Sequence, residues 1–303
     1  MGLLEQDILA MVRSLLPGGE TLTDDCGALA PAGVGRLLIS TDLMEENTHF
    51  RRDWHPPRLL GRKLLAVNLS DLDASGAVAA GFCLTLALPP DLEIAWLEEF
   101  LGGLAETARE QRVPVLGGDT VGRAAGIGLG ATVLGWAGRW LTRDGVKPGD
   151  RLYVDQPLGR SLRGLRLLQK GERWDPTCPD PELSAHLDPR PNLGLGPRLA
   201  ALPEVHACID LSDGLSSDLR RMAEASGCDL ILADGLGADE IKGGEDYARC
   251  FASPLSREVL EARLGLPLRE VGAAVQGPGG RLMAWQGGLP QPIPDLGFEH
   301  FRP

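Results

Sequence analysis

Short apolar runs alternate with segments of helical spacing along most of this chain, and this alternation restricts the fold more than any other feature. The clearest helix is predicted over 93–109, because apolar side chains recur there on one face. Strands are predicted over 36–40, 82–88 and 151–154, and a second helix over 57–72. Alternating strands and helices favour an α/β or α+β fold built from packed layers.

A turn divides the chain into two parts. The sequence Val146-Lys147-Pro148-Gly149-Asp150 is typical of a turn, and we place the domain boundary within 141–150. A chain of 303 residues is long enough for two domains, which we predict over 1–140 and 141–303. In the second domain, 174–197 is rich in proline and is predicted to be an irregular connection.

Charge excludes one broad class of partner. The chain has 42 acidic and 30 basic side chains and a formal net charge of −12. A nucleic-acid-binding surface needs clustered Lys and Arg to neutralise phosphates, so we expect no nucleic-acid partner. An acidic enzyme that handles phosphates must instead bring in cations.

Cysteine spacing and hydropathy favour a cytoplasmic protein. The six cysteines contain no CxxC pair, so zinc and haem spacings are absent and a disulfide framework is not expected. Glu5 and Asp7 do not suit a signal peptide. The longest weakly polar run, over 126–138, is too short to span a bilayer, so we expect no membrane association.

Several common catalytic motifs do not occur. The chain has no G-x-x-x-x-G-K-[ST] phosphate loop, no G-x-S-x-G elbow and no H-E-x-x-H pair. The glycines at 126, 128 and 130 have the wrong spacing for a dinucleotide fingerprint.

Aspartates recur where predicted strands and helices end. Carboxylates at strand ends can converge on one rim of a sheet, and Mg²⁺ prefers such oxygen ligands. Several carboxylates would hold more than one Mg²⁺, which would also screen an acidic site from anionic phosphates. The positions are Asp24, Asp25, Asp42, Asp71, Asp119, Asp210 and Asp213.

Each position taken alone also has a plain structural interpretation. Asp119 follows two glycines, as turn residues often do. Asp213 precedes an amphipathic helix and can be a simple N-cap. Asp24 and Asp25 can form a solvated turn. Only the ordered set is specific.

That ordered set resembles the thiamine-monophosphate kinase family of the aminoimidazole-ribonucleotide synthetase-like superfamily. The matching segments cover nearly the whole chain. They are Asp24-Asp25-Cys26, Ser40-Thr41-Asp42-Leu43, Asn47-Thr48-His49-Phe50, Lys63-Leu64-Leu65-Ala66-Val67-Asn68-Leu69-Ser70-Asp71, Gly117-Gly118-Asp119-Thr120, Leu141-Thr142-Arg143 with Lys147-Pro148-Gly149-Asp150, Ile209-Asp210-Leu211-Ser212-Asp213-Gly214-Leu215, Gly243-Gly244-Glu245-Asp246-Tyr247 and Gly297-Phe298-Glu299-His300-Phe301.

The resemblance implies a fold, an activity and partners. The N-terminal domain would contribute a mixed sheet to a barrel shared by a homodimer, with ATP and Mg²⁺ near the interface. The C-terminal α/β layer domain would complete the substrate site. The implied reaction is transfer of the γ-phosphate of ATP to thiamine monophosphate, giving thiamine diphosphate, with several Mg²⁺ ions bound. The attacking phosphate oxygen is already ionised, so positioning and charge neutralisation carry such a reaction.

The resemblance also implies roles for individual residues. The implied metal ligands are Asp25, Ser40, Thr41, Asp42, Asp71, Asp119, Asp210 and Asp213. Among them, the residues expected to be catalytic are Asp42, Asp71, Asp119 and Asp210. The implied nucleotide contacts are Gly118, Asp119, Arg143 and Ser212. The implied contacts to the thiamine moiety are His49, Glu245 and Phe298.

Three of these residues also have plain interpretations. His49 beside Phe50 can be a packed surface histidine, Phe298 can anchor the chain end on the core, and Arg143 can be a solvated turn charge.

The chain departs from the family pattern in its second half and at two earlier sites. Thr23 replaces a glycine, and 72–76 reads Leu-Asp-Ala-Ser-Gly in place of Leu-Ala-Ala-Met-Gly. Asn192 stands where arginine is common, and Tyr247 is followed by Ala-Arg in place of Glu-Leu. The stretch 234–243 is short and is expected to lack a helix. The second-half changes fall on the implied thiamine side.

Two alternatives remain open. The chain could be another ATP-dependent enzyme of the superfamily with a different acceptor. Selenophosphate synthetase and the hydrogenase-maturation dehydratase fit poorly, because Cys26 has no Lys neighbour and the sequence ends Phe301-Arg302-Pro303. The chain could also be a non-catalytic protein that binds Mg-ATP or thiamine phosphates, which binding without turnover would reveal.

Overall fold

The computed structural model describes the backbone of 27–29 and all of 35–298. It has the predicted mixed α/β architecture, with one sheet built from 27–137 and another from 151–292. The aspartates at 24 and 25 lie outside the described residues. Within the described part of the chain, no helix is long and apolar enough to cross a membrane.

The first sheet is mixed and carries helices on one face. Its strand order is β1-β2-β5-β3-β4, with β3 and β4 parallel and the other neighbours antiparallel. Its elements are β1 (Gly27–Leu29), β2 (Arg36–Glu45), α1 (Pro57–Ala74), β3 (Val78–Leu88), α2 (Ile94–Gln111), β4 (Val115–Gly122) and β5 (Gly128–Ala137).

Residues 35–298 leave the opposite face of the first sheet uncovered. Leu38 and Met44 of β2 are buried under the helices, whereas Leu43 is 55% exposed. On the neighbouring strands, Val78 and Trp136 face each other across the ladder and are also exposed. Every residue of the edge strand β4 is exposed. An apolar sheet face of this kind is typical of an interaction surface.

The second sheet has seven strands in the order β12-β11-β8-β10-β6-β9-β7. Its strands are β6 (Arg151–Val154), β7 (Ala207–Asp210), β8 (Asp229–Leu232), β9 (Arg249–Ser253), β10 (Arg269–Val275), β11 (Leu282–Gln286) and β12 (Leu289–Pro292). The helices of this half are α3 (Arg160–Gln169), α4 (Pro181–Leu187), α5 (Leu195–Ala200), α6 (Leu215–Ser226), α7 (Ala238–Lys242) and α8 (Arg257–Leu264).

The central strands of the second sheet are covered on both faces. Phe251 of β9 belongs to an apolar cluster with residues of α5 and α8. Its neighbours Cys250 and Ala252 belong to another cluster, formed with residues of α6. Successive strand residues point to opposite faces, so β9 is buried from both sides.

Helix α1 lies between the two halves. Fourteen of its 18 residues are buried. Leu60 and Leu64 pack into the core of the first sheet, while Ala74 packs into a core of the second half. Since α1 also contacts β7 and α5, it forms a wall common to both halves.

Several sequence-based predictions of local structure were wrong. The segment 174–197 contains helix α4 and the start of α5. Asp180 caps α4 by accepting hydrogen bonds from the N–H groups of Glu182 and Leu183, at 2.8 and 3.0 Å, and Pro181 suits a first helical turn. The stretch 234–243, expected to lack a helix, contains the five-residue α7.

Two of the aspartates expected after strands lie inside them. β2 continues past Asp42, because its ladder with β5 runs to Glu45 opposite Gly128. β4 likewise includes Asp119, which pairs with Thr85 of β3. Strand ends are set by the length of the partner strand, which local sequence does not contain.

Candidate active site

A cavity of about 880 Å³ lies between the two halves. Its N-terminal wall consists of β2, the following loop and α1, and its C-terminal wall of α3, α4 and the chain around 242–247. The volume suits a small-molecule site. The predicted site residues that line it are Thr41, Asp42, His49, Asp71, Ser212, Asp213, Glu245 and Phe298.

The N-terminal wall is acidic and is fixed by contacts between β2 and α1. Ser40 Oγ donates a hydrogen bond to Asp71 Oδ2 at 2.7 Å. The backbone N–H of Asp42 donates to Oδ1 of the buried Asn68 at 2.9 Å. These bonds join β2, which carries Asp42, to the part of α1 that carries Asp71.

Asp210 reaches the same region from the second half. It ends β7, is only 2% exposed, and accepts a hydrogen bond from Ser70 Oγ at 2.5 Å. Ser70 precedes Asp71 in α1. One turn of this helix therefore carries Asp71 and also binds Asp210 of the second half.

The buried ring of Tyr247 marks where these carboxylates converge. Burial raises the pKa of the Tyr247 phenol well above its ordinary value. The neighbouring carboxylates raise it further, because a phenolate beside them would be repelled. The carboxylates that act on this group are Glu245, Asp42, Asp210 and Asp71.

On the C-terminal wall, Glu245 is held by two basic side chains. Lys63 of α1 is fully buried, and its Nζ lies 2.8 Å from Glu245 Oε1. His186 Nδ1 lies 3.1 Å from Glu245 Oε2. Burial alone would raise the pKa of Glu245, but Lys63 and His186 outweigh it and hold this pKa well below its ordinary value. Glu245 is therefore ionised, and its negative charge is paired with the Lys63 ammonium.

The backbone around Glu245 is strained. Glu245 and Tyr247 have φ values of 61° and 49°, in the left-handed region that side chains other than glycine rarely occupy. Between them, Asp246 turns away and accepts hydrogen bonds from the N–H groups of Gly159 and Ser161, at 2.5 and 3.1 Å. The strained turn thus places Glu245 and Tyr247 at the cavity and anchors the start of α3.

Asp213 has a basic partner that the sequence did not indicate. Arg221 Nη1 lies 2.5 Å from Asp213 Oδ2 and 2.8 Å from Asp218 Oδ1. The carbonyl of Asp213 accepts a hydrogen bond from the N–H of Phe298 at 3.1 Å. Phe298 itself is 51% exposed at the cavity rim.

Two other predicted residues of the N-terminal half have defined partners. His49 Nδ1 accepts a hydrogen bond from the Glu45 N–H at 2.9 Å, which leaves Nε2 as the protonated nitrogen of the neutral ring. Thr41 Oγ1 donates to the carbonyl of Ala131 at 3.0 Å. Its hydroxyl is thereby tied to β5.

Five predicted residues that the structure describes do not line the cavity. Two of them, Ser40 and Asp210, are bonded to α1 as given above, and the other three are Gly118, Asp119 and Arg143. Asp119 lies opposite Thr85, and three strand spacings, about 14 Å, separate it from β2. A Cβ at Gly118 would lie 2.0 Å from the carbonyl oxygen of Leu84, so glycine there permits close strand packing. The carbonyl of Arg143 accepts a hydrogen bond from Ser226 Oγ at 2.9 Å, in the connection between the sheets.

The oxygen donors of the acidic wall suit Mg²⁺. Within the described part of the chain, no three His, Cys, Asp or Glu side chains form a group that could hold a metal by themselves. Mg²⁺ usually takes one or two carboxylates and completes its shell with water and substrate phosphates. Asp42 and Asp71 on the acidic wall could supply these two carboxylates.

Sequence reasoning missed three residues of the site. Lys63 and Tyr247 belong to the quoted motifs but received no role. Lys63 lies on the apolar face of α1 with Leu60 and Leu64. A charged residue on such a face was the sequence feature that could have indicated its role. His186 carries no local signal, because only the fold brings it to Glu245.

Comparison with known proteins defines the class of this architecture. Residues 23–137 match the family described as AIR synthase related protein, N-terminal domain. A solved structure of AaThiL complexed with AMPPCP and TMP superimposes with a TM-score of 0.85 at 26% identity, over 98% of this chain and 97% of that one. The thiamine monophosphate kinase structure from Aquifex aeolicus gives 0.77 at 26% identity, over 91% and 95%. The fold is therefore that of the AIR synthase related class.

The thiamine-monophosphate kinase of Escherichia coli strain K12 is 37% identical over 302 residues, which cover 92% of this chain and 90% of that relative. The chain belongs to the thiamine-monophosphate kinase family. This confirms the resemblance found in its ordered motifs.

Proposed function

We propose that this chain transfers the γ-phosphate of ATP to thiamine monophosphate, giving thiamine diphosphate and ADP. One observation carries the proposal: a single cavity has an acidic wall at Asp42 and Asp71 and an ionised Glu245 opposite. The acidic wall suits metal-bound phosphates, and Glu245 suits a cationic ring. The structure of AaThiL with AMPPCP and TMP bound supports the same pair of substrates.

The acidic residues would hold the metal. Bound Mg²⁺ supplies charge neutralisation between the two anionic phosphate groups. We assign Asp42, Asp71 and Asp210 to this role, with Ser40 orienting Asp71. Thr41, Asp213 and Asp25 remain proposed ligands by resemblance. In this assignment Asp213 must exchange its contact with Arg221 for the metal.

The organic part of the acceptor would lie against the C-terminal wall. Glu245 offsets the positive charge of thiamine, and Phe298 at the rim can stack on its rings. His49 would contact the same moiety across the cavity. Ser212 and Arg143 are assigned to the nucleotide, Arg143 as a forked donor to phosphate.

We propose a homodimer formed through the open face of the first sheet. Exposed apolar residues such as Val78 and Trp136 support this surface. In that arrangement Gly118 and Asp119 of β4 lie at the interface, where the nucleotide is expected. Residues 1–140 would then form the nucleotide and dimerisation domain, and 141–303 the domain that completes the substrate site.

We also propose a cytoplasmic location. The described cysteines Cys83, Cys178, Cys208, Cys228 and Cys250 are free thiols, which supports a reducing compartment.

Product analysis by chromatography tests the reaction. The purified chain is incubated with Mg²⁺, ATP and thiamine monophosphate, beside Asp42→Asn and the exposed control Asp91→Asn. We expect thiamine diphosphate from the wild type and the control, and at least about 100-fold less from Asp42→Asn, as for loss of one electrostatic contact to a transition state.

Two results would contradict the proposal. ADP without thiamine diphosphate would assign a different acceptor. Binding of Mg-ATP without turnover would make the chain a binding protein.

A further inference from the structure

Arg249 is the largest fully buried side chain of the described chain. It begins β9, yet its guanidinium points to α1 of the other half. Nε lies 2.9 Å from Asp73 Oδ2, and Nη1 donates to Ser70 Oγ at 3.1 Å and to the Tyr247 carbonyl at 2.8 Å. A buried guanidinium with this many directed contacts fixes the relative position of every group that it touches.

Asp73, which accepts the hydrogen bond from Arg249 Nε, is itself held in place by backbone groups. Asp73 is 4% exposed and also accepts hydrogen bonds from the N–H groups of Gly194 and Gly196, at 2.5 and 2.9 Å. A Cβ at Gly196 would lie 1.5 Å from the carbonyl oxygen of Asp73, so only glycine allows this approach. Burial would lower the pKa of Arg249, but the carboxylates of Asp73, Asp155 and Asp210 raise it, and the side chain stays charged.

The contacts continue from Arg249 to Asp210. The Ser70 hydroxyl has one hydrogen, which it donates to Asp210 Oδ2 at 2.5 Å. Its oxygen accepts from Arg249 Nη1. A hydroxyl that accepts and donates in this way has a fixed orientation, so Arg249 determines the direction of the hydrogen bond that Asp210 receives.

Asp73 and Arg249 belong to different halves of the chain. They lie 176 residues apart in sequence, and the structure places them in direct contact. The two side chains therefore act as one charged pair that joins the halves.

We propose that Arg249, held by Asp73, is a positioning residue that orients Asp210 through Ser70 and fixes the strained turn at Tyr247. This inference rests on the proposed function for the role of Asp210. It differs from a purely structural link between the halves, because an apolar pair could replace such a link without loss.

The test is a double-mutant cycle with Arg249→Leu, Asp73→Ala and the combined variant. Thermal unfolding without metal should show both single variants destabilised, because Arg249→Leu leaves Asp73 buried without its cation and Asp73→Ala removes one of the carboxylates beside Arg249. The double variant should be less destabilised than the sum of the two. The control is the exposed pair Arg263 and Glu204, 3.1 Å apart, changed to Leu and Ala, which should match the wild type throughout.

The decisive readouts are kcat and the affinity for Mn²⁺ in the presence of AMPPCP, measured by electron paramagnetic resonance. We expect the double variant to lose about 10–100-fold in one or both, as when an outer partner of a metal ligand is removed. Ser70→Ala should reproduce that loss with the Arg249–Asp73 pair intact.

A double variant with wild-type kcat and wild-type Mn²⁺ affinity would overturn the proposal. If the wild type makes no thiamine diphosphate, the proposed function fails separately, and Mn²⁺ affinity alone then decides the role of Arg249.

Discussion

The two sheets of this protein differ in how they are covered. Phe251, in the second sheet, is fully buried between layers of its own chain, whereas Trp136, in the first, is 46% exposed. Strand β9, which contains Phe251, and strand β5, which contains Trp136, both carry apolar residues on both faces. Among the described residues, helices cover both sides of the second sheet but only one side of the first.

This difference separates two roles. The second sheet is complete within one chain and provides a rigid base for Asp210 and for the turn at Glu245. The described residues leave one apolar face of the first sheet uncovered, as the proposed homodimer requires. The cavity lies between the two, so a change in either sheet reaches it from a different side.

The largest expected effect is in the covered sheet. Phe251→Ala should lower the free energy of unfolding by about 3–5 kcal/mol, because it removes a buried ring that packs 5.8 Å from that of Tyr153. Urea denaturation measures the change. Trp285→Ala is the control, since this side chain is 48% exposed in the same sheet. Equal losses in both variants would contradict the description of the second sheet as covered.

A smaller effect is expected from a buried acid of the same half. Burial raises the pKa of Asp246 to about 6, against the hydrogen bonds from the N–H groups of Gly159 and Ser161. The folded protein therefore binds this proton more tightly than the unfolded chain. This carboxyl's contribution to stability falls as the pH rises from about 4 to about 6, by at most about 3 kcal/mol.

Asp246→Asn should remove that part of the pH dependence. Urea unfolding at pH 4 and pH 7 measures it, with the exposed Asp234→Asn as the control for loss of charge alone. An unchanged difference between the two pH values in Asp246→Asn would show that the carboxyl is not buried as described.

The smallest expected effect concerns the open sheet. Val78 is 62% exposed, so Val78→Arg should change the stability of a single chain by no more than about 0.5 kcal/mol. It should weaken the proposed homodimer about 10–100-fold, or about 1.4–2.7 kcal/mol, because a charge would be buried at the proposed interface. Sedimentation over a range of concentrations measures this. Val259→Arg on α8 is the control, and equal association of both variants would exclude the open face as the interface.

Periodic segments were predictable from the sequence, and the contacts between them were not. The helix expected over 57–72 is Pro57–Ala74, and the strand expected over 151–154 is Arg151–Val154, because apolar spacing is local information. The positions of Asp42 and Asp119 within strands depend on the length of β5 and β3. Local sequence carries no record of either partner.

For the candidate site too, the residues were predictable from the sequence but their partners were not. The ordered motifs identified the carboxylates that line the cavity, such as Asp42 and Asp71. The basic partners of two other carboxylates, Lys63 beside Glu245 and Arg249 beside Asp73, lie more than 170 positions from them in sequence. Such pairs depend on the fold, and a linear motif does not contain them.

The position of α1 also affects how the chain is made. This helix is synthesised early, but Arg249, the partner of its Asp73, leaves the ribosome only after 176 further residues. Until then the polar groups at the end of α1 lack their native neighbours, and its second apolar side is open to solvent. Contacts of such long range slow folding and expose the growing chain to misassembly. We therefore expect the first half to complete its packing only after β9 has been synthesised.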